Sequence, residues 1–234
     1  MARRSATSAH FTPALFSFLA ELHDHNERDW FNENKARYET HVKDAALRFI
    51  VDFTAPLQRI SRHYVTDPRP VGGSLMRIYK DTRFARDKSP YKTNVGIQFR
   101  HAAGKDVHAP GFYLHLATDE IFAGVGLWHP EPEPLARIRE RIVDKPAEWK
   151  KAISGKAFAS RFERGGDSLK RPPAGFDPQH PHIDDLKRKD HIAMVRFSRK
   201  EVCAPDFLDR FAEACGDASG YMEFLTTAVG LPYG

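Results

Sequence analysis

Between Leu75 and Trp128 the apolar residues recur with a period of two, and this stretch constrains the fold more than any other. Four segments alternate apolar and polar side chains: Leu75–Lys80, Val95–His101, Gly111–Ala117 and Ile121–Trp128. Such alternation predicts half-buried β-strands. The connections are polar or contain glycine, and they leave no room for helical crossovers. The sequence therefore predicts an antiparallel meander.

The segments before and after the meander have helical periodicity. Thr12 and Pro13 suit a helix start, and Asn26 suits the cap of a second helix. We expect a disordered lead at residues 1–10, helices at 12–60, strands at 74–128, and helices plus one strand, His191–Ser198, at 135–229. This order predicts an α+β fold in a single domain, 1–234, with an antiparallel sheet of about five strands flanked by N-terminal and C-terminal helices.

Composition and local sequence limit the classes of protein that the chain indicates. A net charge of +5 over 234 residues is too small an excess to diagnose a nucleic-acid binder. The longest apolar run near the N-terminus is interrupted by Ser17 and Glu21, so it predicts a structural helix rather than an export signal. No stretch approaches the roughly twenty apolar residues of a membrane span. Cys203 and Cys215 form no CxxC pair, which fits the reducing cytoplasm, where we expect the protein.

Positive charge is concentrated between Ser74 and Lys92, where six cations accompany two anions and two tyrosines. The planar fork of arginine suits carboxylate and phosphate groups, and lysine adds point charges. Asp81 and Asp87 would stay ionised beside these cations and could orient them. The segment predicts an anionic ligand without naming it. The cations are Arg77, Lys80, Arg83, Arg86, Lys88 and Lys92.

Alternation also assigns side chains to sheet faces. Arg77 and Tyr79 share one face of the first predicted strand, and Tyr113 and His115 share one face of the third. If these polar faces align, they form a pocket floor beside the cationic loop. The alternative is the solvated face of an antiparallel sheet. The predicted ligand-binding residues are Arg77, Tyr79, Lys80, Arg83, Lys88, Tyr91, Lys92, Tyr113 and His115.

Four functions stay open, and binding of a phosphorylated or other anionic small ligand is preferred. In a hydrolase or transferase acting on such a ligand, His115 and Tyr79 would transfer protons, with Asp81 as a base or orienting group. A nucleic-acid-associated protein is a less favoured alternative, because sequence does not show a continuous cationic stripe with aromatic platforms. In the last alternative, the loop is an ion-pair network without a ligand.

Metal and cofactor motifs are weak or absent in the sequence. His180 and His182 lie close to Asp184 and Asp185, but no third ligand follows at a known spacing. There is no Walker loop, dinucleotide fingerprint or Gly-x-Ser-x-Gly elbow. We therefore predict no metal and no cofactor.

The run GGSLMRIYKDTRFARDKSPYKTN resembles the signature of a bacterial and fungal family of conserved hypothetical proteins, domain of unknown function twenty-four sixty-one. The similarity extends to FTPALFSFLAEL, NERDWFNENK, APGFYLHL, GVGLWHP and LKRPPAGFD, and so covers nearly the whole chain. His25 and Lys80 depart from the Asn and Arg typical of the family, and each keeps polarity or charge. The resemblance implies a single domain and brings no activity with it.

Overall fold

The N-terminal segment is helical, as its periodicity predicts. In the computed structural model, which describes residues 8–83, 86–104 and 109–234, α4 ends at Asp52 and α5 follows from Thr54. The break arises because Pro56 has no N–H to donate to the carbonyl of Asp52. The helical elements are α1 (Pro13–Asp24), α2 (Arg28–Glu33), α3 (Lys35–Tyr38), a π-helical turn (Glu39–Lys43), α4 (Asp44–Asp52) and α5 (Thr54–Ile60).

The disorder predicted for residues 1–10 falls largely on residues 1–7, which lie outside the described residues. His10 is buried against Phe49, and its Nε2 lies 2.8 Å from Asp52 Oδ2. His10 is therefore packed against the fold, although it lies within the segment predicted to be disordered.

The sheet has six described strands in the order β1-β2-β3-β4-β6-β5, and every pair is antiparallel. The predicted meander is confirmed in β2, β3 and β4, and the α+β class with it. The two strands that the sequence did not predict are β1 and β5, which are too short to show alternation. The strands are β1 (Tyr64–Val65), β2 (Asn94–His101), β3 (Gly111–Ala117), β4 (Ile121–Leu127), β5 (Glu163–Gly165) and β6 (His191–Arg196).

The predicted strand Leu75–Lys80 is wrong, because this segment forms only two isolated bridges. Leu75 pairs with Ile97 on the outer edge of β2, whereas Tyr79 pairs with Tyr91. The partner changes because the chain turns back on itself: Lys80 N donates to the Pro90 carbonyl at 2.9 Å and Lys92 N donates to the Ile78 carbonyl at 2.7 Å. We call residues 78–92 the arm; its residues 84–85 lie outside the described residues.

The C-terminal half supplies the remaining helices. The predicted terminal helix Asp206–Val229 is divided into α11 and α12 at Ala218, within the predicted Gly216–Gly220 interruption. Among the described residues, no helix is long and apolar enough to cross a membrane. The helices are α6 (Pro132–Asp144), α7 (Pro146–Ser154), α8 (Lys156–Arg161), α9 (Ile183–Leu186), α10 (Arg199–Val202), α11 (Phe207–Asp217) and α12 (Ser219–Ala228).

The two faces of the sheet differ in burial. Phe99, Phe112 and Leu114 point to the core face and are fully buried, whereas Tyr113 and His115 point the other way and are half-buried. Helices α11 and α12 contact β4, and the Phe211 ring packs against Phe99 on the core face. We call the opposite side the open face. Its central residues are Gly96, Gln98, Arg100, Tyr113, His115, Phe122, Gly124 and Met194.

Candidate functional site: a pocket between the arm and helix α2

The arm is fixed to the N-terminal helices through Tyr91. Its ring is 3% exposed and stacks on Phe31 of α2, with centroids 4.1 Å apart and planes inclined by 20°. Asn26 was predicted to cap the second helix, but that prediction is wrong: the residue preceding α2 is Glu27. The Asn26 side chain instead donates to the Tyr91 carbonyl and accepts from the Tyr91 N–H, each at 3.0 Å. Asn26 thus holds the arm as a neighbouring strand would.

A cavity of about 310 Å³ lies between α2 and the arm. Tyr79 is 55% exposed, and its ring centroid lies 5.4 Å from that of Tyr91. Two cations and no acid are found among the described residues around this cavity. Its volume is within the range of small-ligand sites. It is lined by Arg28, Asn32, Tyr79, Lys80, Thr82, Pro90 and Tyr91.

Lys80 has an internal partner on the arm. Its Nζ donates to Asp87 Oδ2 at 2.8 Å and to Ser89 Oγ at 2.6 Å. The hydrogen bond from Lys80 holds the pKa of the Asp87 carboxyl well below its usual range, and the Ser89 N–H adds to the effect. Lys80 therefore stays at the cavity wall with its charge only partly offset, because Asp87 is largely exposed to water.

Two further arm cations bond within the arm. Arg83 binds Asp81 through Nε at 3.0 Å and through Nη2 at 2.7 Å. This side-chain bond lowers the pKa of the exposed Asp81 carboxyl. Lys88 Nζ donates to the carbonyl of Thr82 at 2.9 Å. These bonds shape the loop, and neither Arg83 nor Lys88 lines the cavity.

Arg77 and Lys92 lie together at the base of the arm. Partial burial lowers the pKa of the Lys92 ammonium, and the nearby Arg77 guanidinium lowers it further. Within the described ranges, Lys92 forms no ion pair with an acid, whereas Arg77 is close enough to Asp81 to help lower the pKa of that carboxyl. Asp81 therefore offsets part of the positive charge at this place.

Tyr113 and His115 form a separate pair on the open face. Tyr113 Oη lies 3.1 Å from His115 Nδ1, and the His115 ring stacks on Phe122 at 4.8 Å. Burial raises the pKa of Tyr113 to about 12 and lowers the pKa of His115 below its ordinary value. Both side chains are therefore neutral near pH 7. With the phenol donating to Nδ1, the imidazole presents Nε2–H as a donor.

The structure divides the predicted site residues between two places. Tyr79, Lys80 and Tyr91 line the cavity beside α2, and no open-face residue lines it with them. Beside Tyr113 on the open face lies Met76 rather than Arg77: a Cβ added at Gly96 would be 2.7 Å from Tyr113 Oη and 2.8 Å from Met76 Sδ. The alternation that placed Arg77 with Tyr113 fails because the segment leaves the sheet after Leu75.

Two cavity residues were missed from the sequence. Arg28 and Asn32 lie one helical turn apart on α2, and both are exposed. Their spacing places them on the same face of the helix. That spacing is also typical of any solvated helix surface, so it gave no sign of a site.

The histidines considered as metal ligands have other contacts. His182 Nδ1 lies 3.6 Å from Asp185 Oδ2. Asp185 is buried and accepts from Trp149 Nε1 at 2.8 Å and from Arg164. In residues 8–83, 86–104 and 109–234, no three His, Cys, Asp or Glu side chains group as metal ligands would.

A family model matches most of the chain. The family model described as conserved hypothetical protein (DUF2461) matches residues 14–224. No curated protein matches the chain.

Proposed function

This chain belongs to the DUF2461 family of conserved hypothetical proteins, and from that premise we propose that it binds a phosphorylated or other anionic small ligand between α2 and the arm. The cavity lined by Arg28, Tyr79 and Lys80 is the observation that supports this function best. A guanidinium offers a bidentate fork for a carboxylate or phosphate, and Lys80 adds a second positive charge. An exposed tyrosine ring offers a flat surface for the rest of the ligand.

The other arm cations take supporting roles in this proposal. Arg83 and Lys88 keep the loop in shape through Asp81 and the Thr82 carbonyl. Arg77 and Lys92 raise the positive potential at the base of the arm, where their mutual repulsion is relieved when an anion binds. Anion binding and ion pairing within the arm are therefore compatible.

A hydrolase or transferase is not the function proposed. It required Tyr79 and His115 to act on one substrate, and these residues belong to the cavity and to the open face, respectively. We place the protein in a reducing compartment, the cytoplasm, since Cys203 and Cys215 are both free thiols.

Ligand-dependent thermal unfolding tests the proposal. Phosphate, pyrophosphate, citrate and nucleoside monophosphates are added at an ionic strength matched with KCl, and the midpoint Tm is followed by differential scanning fluorimetry. A ligand that binds only the folded state raises Tm, and the rise grows with the logarithm of the ligand concentration once that concentration exceeds Kd. We expect at least one of these anions to raise Tm above the KCl control.

Two matched variants identify the site. Tyr79→Ala removes the exposed ring of the cavity and should abolish the anion-dependent rise in Tm. Trp128→Ala removes another exposed ring, 65% exposed and outside the cavity, and should preserve it. If no anion exceeds KCl, or if both variants respond like the parent, the arm is an ion-pair structure without this ligand.

A further inference from the structure

The open face carries three rings on two neighbouring strands. His115 on β3 is paired in register with Phe122 on β4, and Tyr113 on β3 is paired with Gly124. The Tyr113 and Phe122 centroids are 5.9 Å apart, and the His115 and Phe122 rings are 12° from parallel. Gln98 on β2 lies beside Tyr113 and accepts from Arg100 Nε at 3.1 Å. Aromatic rings and hydrogen-bonding groups are thus grouped on a surface that is half-buried.

Gly96 and Gly124 leave the open face without side chains at two central positions. At Gly96 an added Cβ would approach Tyr113 Oη to 2.7 Å, so the tyrosine extends over β2 only because position 96 has no side chain. At Gly124 an added Cβ would make ordinary contacts, the nearest at 3.5 Å to the Phe122 ring. Packing therefore does not require glycine at 124. A glycine within a strand weakens the strand and allows close approach of a ligand to the sheet.

Charge on this face is distributed along one edge. Arg100 lies on β2 and Lys92 lies just before it, and neither forms an ion pair with a described acid. At the far side Arg196 on β6 is offset by Glu163 at 2.9 Å and Glu120 at 3.6 Å. The positive potential therefore follows the β2 edge. Positions 94 to 100 of β2 extend over about 20 Å at the rise of a strand.

We propose that the open face binds single-stranded nucleic acid, with phosphates along the β2 edge and bases turned inward over β3 and β4. The bases stack on Tyr113, His115 and Phe122, and the Gln98 amide bonds a base edge. Stacking requires exposed base faces, which a duplex does not offer. None of the residues that line the anion cavity takes part in this binding, and Lys92, whose charge supports both proposals, is left unchanged in the variants that test them.

Fluorescence anisotropy with labelled oligo-dT and oligo-rU of about twelve nucleotides tests this inference. Across a series of KCl concentrations, two phosphate contacts predict a log–log slope of about −1.4 for the parent. Arg100→Gln should reduce the magnitude of that slope by about 0.7. Lys151→Gln, the same charge change at an exposed position on α7, should leave both slope and affinity unchanged.

Stacking is separated from charge by two further variants. Tyr113→Leu should weaken binding about tenfold at every salt concentration without changing the slope. Gly124→Val keeps all three rings but covers the surface between them, so it should weaken binding as well. This second variant tests stacking even if Tyr113→Leu fails to fold.

Three results would overturn the inference. The first is no saturable binding by the parent at the lowest salt concentration. The second is parent-like affinity in both Tyr113→Leu and Gly124→Val. The third is equal affinity for a duplex of the same length or for heparin, which would show binding to charge alone.

Discussion

Tyr91 on the arm is stacked face to face on Phe31 of α2, and both rings are buried. This contact connects the cationic segment to a helix about sixty residues earlier in the chain. Tyr91 also lines the cavity, so its packing on Phe31 fixes part of the cavity wall. A wall held by buried packing reduces the ordering cost of binding.

Asn26→Ala should destabilise the protein by about 1–3 kcal/mol, because it leaves the backbone N–H and carbonyl of Tyr91 without their partner. Urea unfolding followed by circular dichroism measures the change. Asn32→Ala is the matched control, since Asn32 is exposed and its change should stay within about 0.5 kcal/mol. Equal effects of the two variants would show that Asn26 does not fix the arm.

Gly126→Ala should cost more than about 3 kcal/mol of folding free energy. Gly126 has a φ of +112°, and an added Cβ would lie 2.0 Å from the backbone oxygen of His191 on β6. Gly220→Ala should instead stabilise the protein by about 0.5–1 kcal/mol, because position 220 is helical and an added Cβ meets nothing within 4 Å. Chemical unfolding measures both variants, and a mild effect at position 126 would contradict the close approach of Gly126 to the His191 backbone.

His191 should make stability depend on pH. It is fully buried, and its pKa is lowered from 6.5 to about 3, chiefly by burial; Asp185 opposes this shift, and the cations Arg188, Arg139 and Arg164 contribute to it. Since the folded-state pKa is lowered, the unfolded chain takes up the proton first as pH falls below 6.5. The parent should therefore lose up to about 1.4 kcal/mol per pH unit between pH 6.5 and about 3.

His191→Leu removes that proton uptake and is the comparison variant. Urea unfolding of both proteins at several pH values gives the difference in their unfolding free energies. The difference should be constant above pH 7 and shift in favour of the variant as pH falls. A difference that does not change with pH would contradict a neutral, buried His191.

Trp149→Phe should destabilise the protein by about 1.5–3 kcal/mol. The indole Nε1–H donates to the buried Asp185 at 2.8 Å, and phenylalanine leaves that carboxylate with one donor fewer. Trp128→Phe is the control, because Trp128 is largely exposed and its change should be near zero. Thermal unfolding monitored by circular dichroism compares the two, and similar values would show that the indole bond contributes little.

Alternation predicted the longer strands well, because β2, β3, β4 and β6 each have six to eight residues and one buried face. It failed at β1 and β5, which have two and three residues. It also failed at Leu75–Lys80, where the side chains alternate but the backbone changes its partner. Met76 N donates to the Gly96 carbonyl of β2, whereas Lys80 N donates to the Pro90 carbonyl of the arm. A side-chain pattern does not reveal which strand a backbone pairs with.

The site was predictable only in part. The clustering of Lys80 with the two tyrosines was visible in the sequence, and these residues do line one cavity. Arg28 and Asn32 were not predicted, since they reach the arm only through tertiary packing of Tyr91 on Phe31. Such a contact leaves no periodicity in either segment.

Isothermal titration calorimetry with pyrophosphate tests the anion cavity most directly. We expect the parent to bind pyrophosphate with saturable heat, and Arg28→Gln to weaken binding about tenfold by removing a charged donor from the cavity wall. Arg48→Gln, the same change at an exposed position on α4, should bind as the parent does. No binding heat in the parent, or equal affinity in the two variants, would contradict an anion site between α2 and the arm.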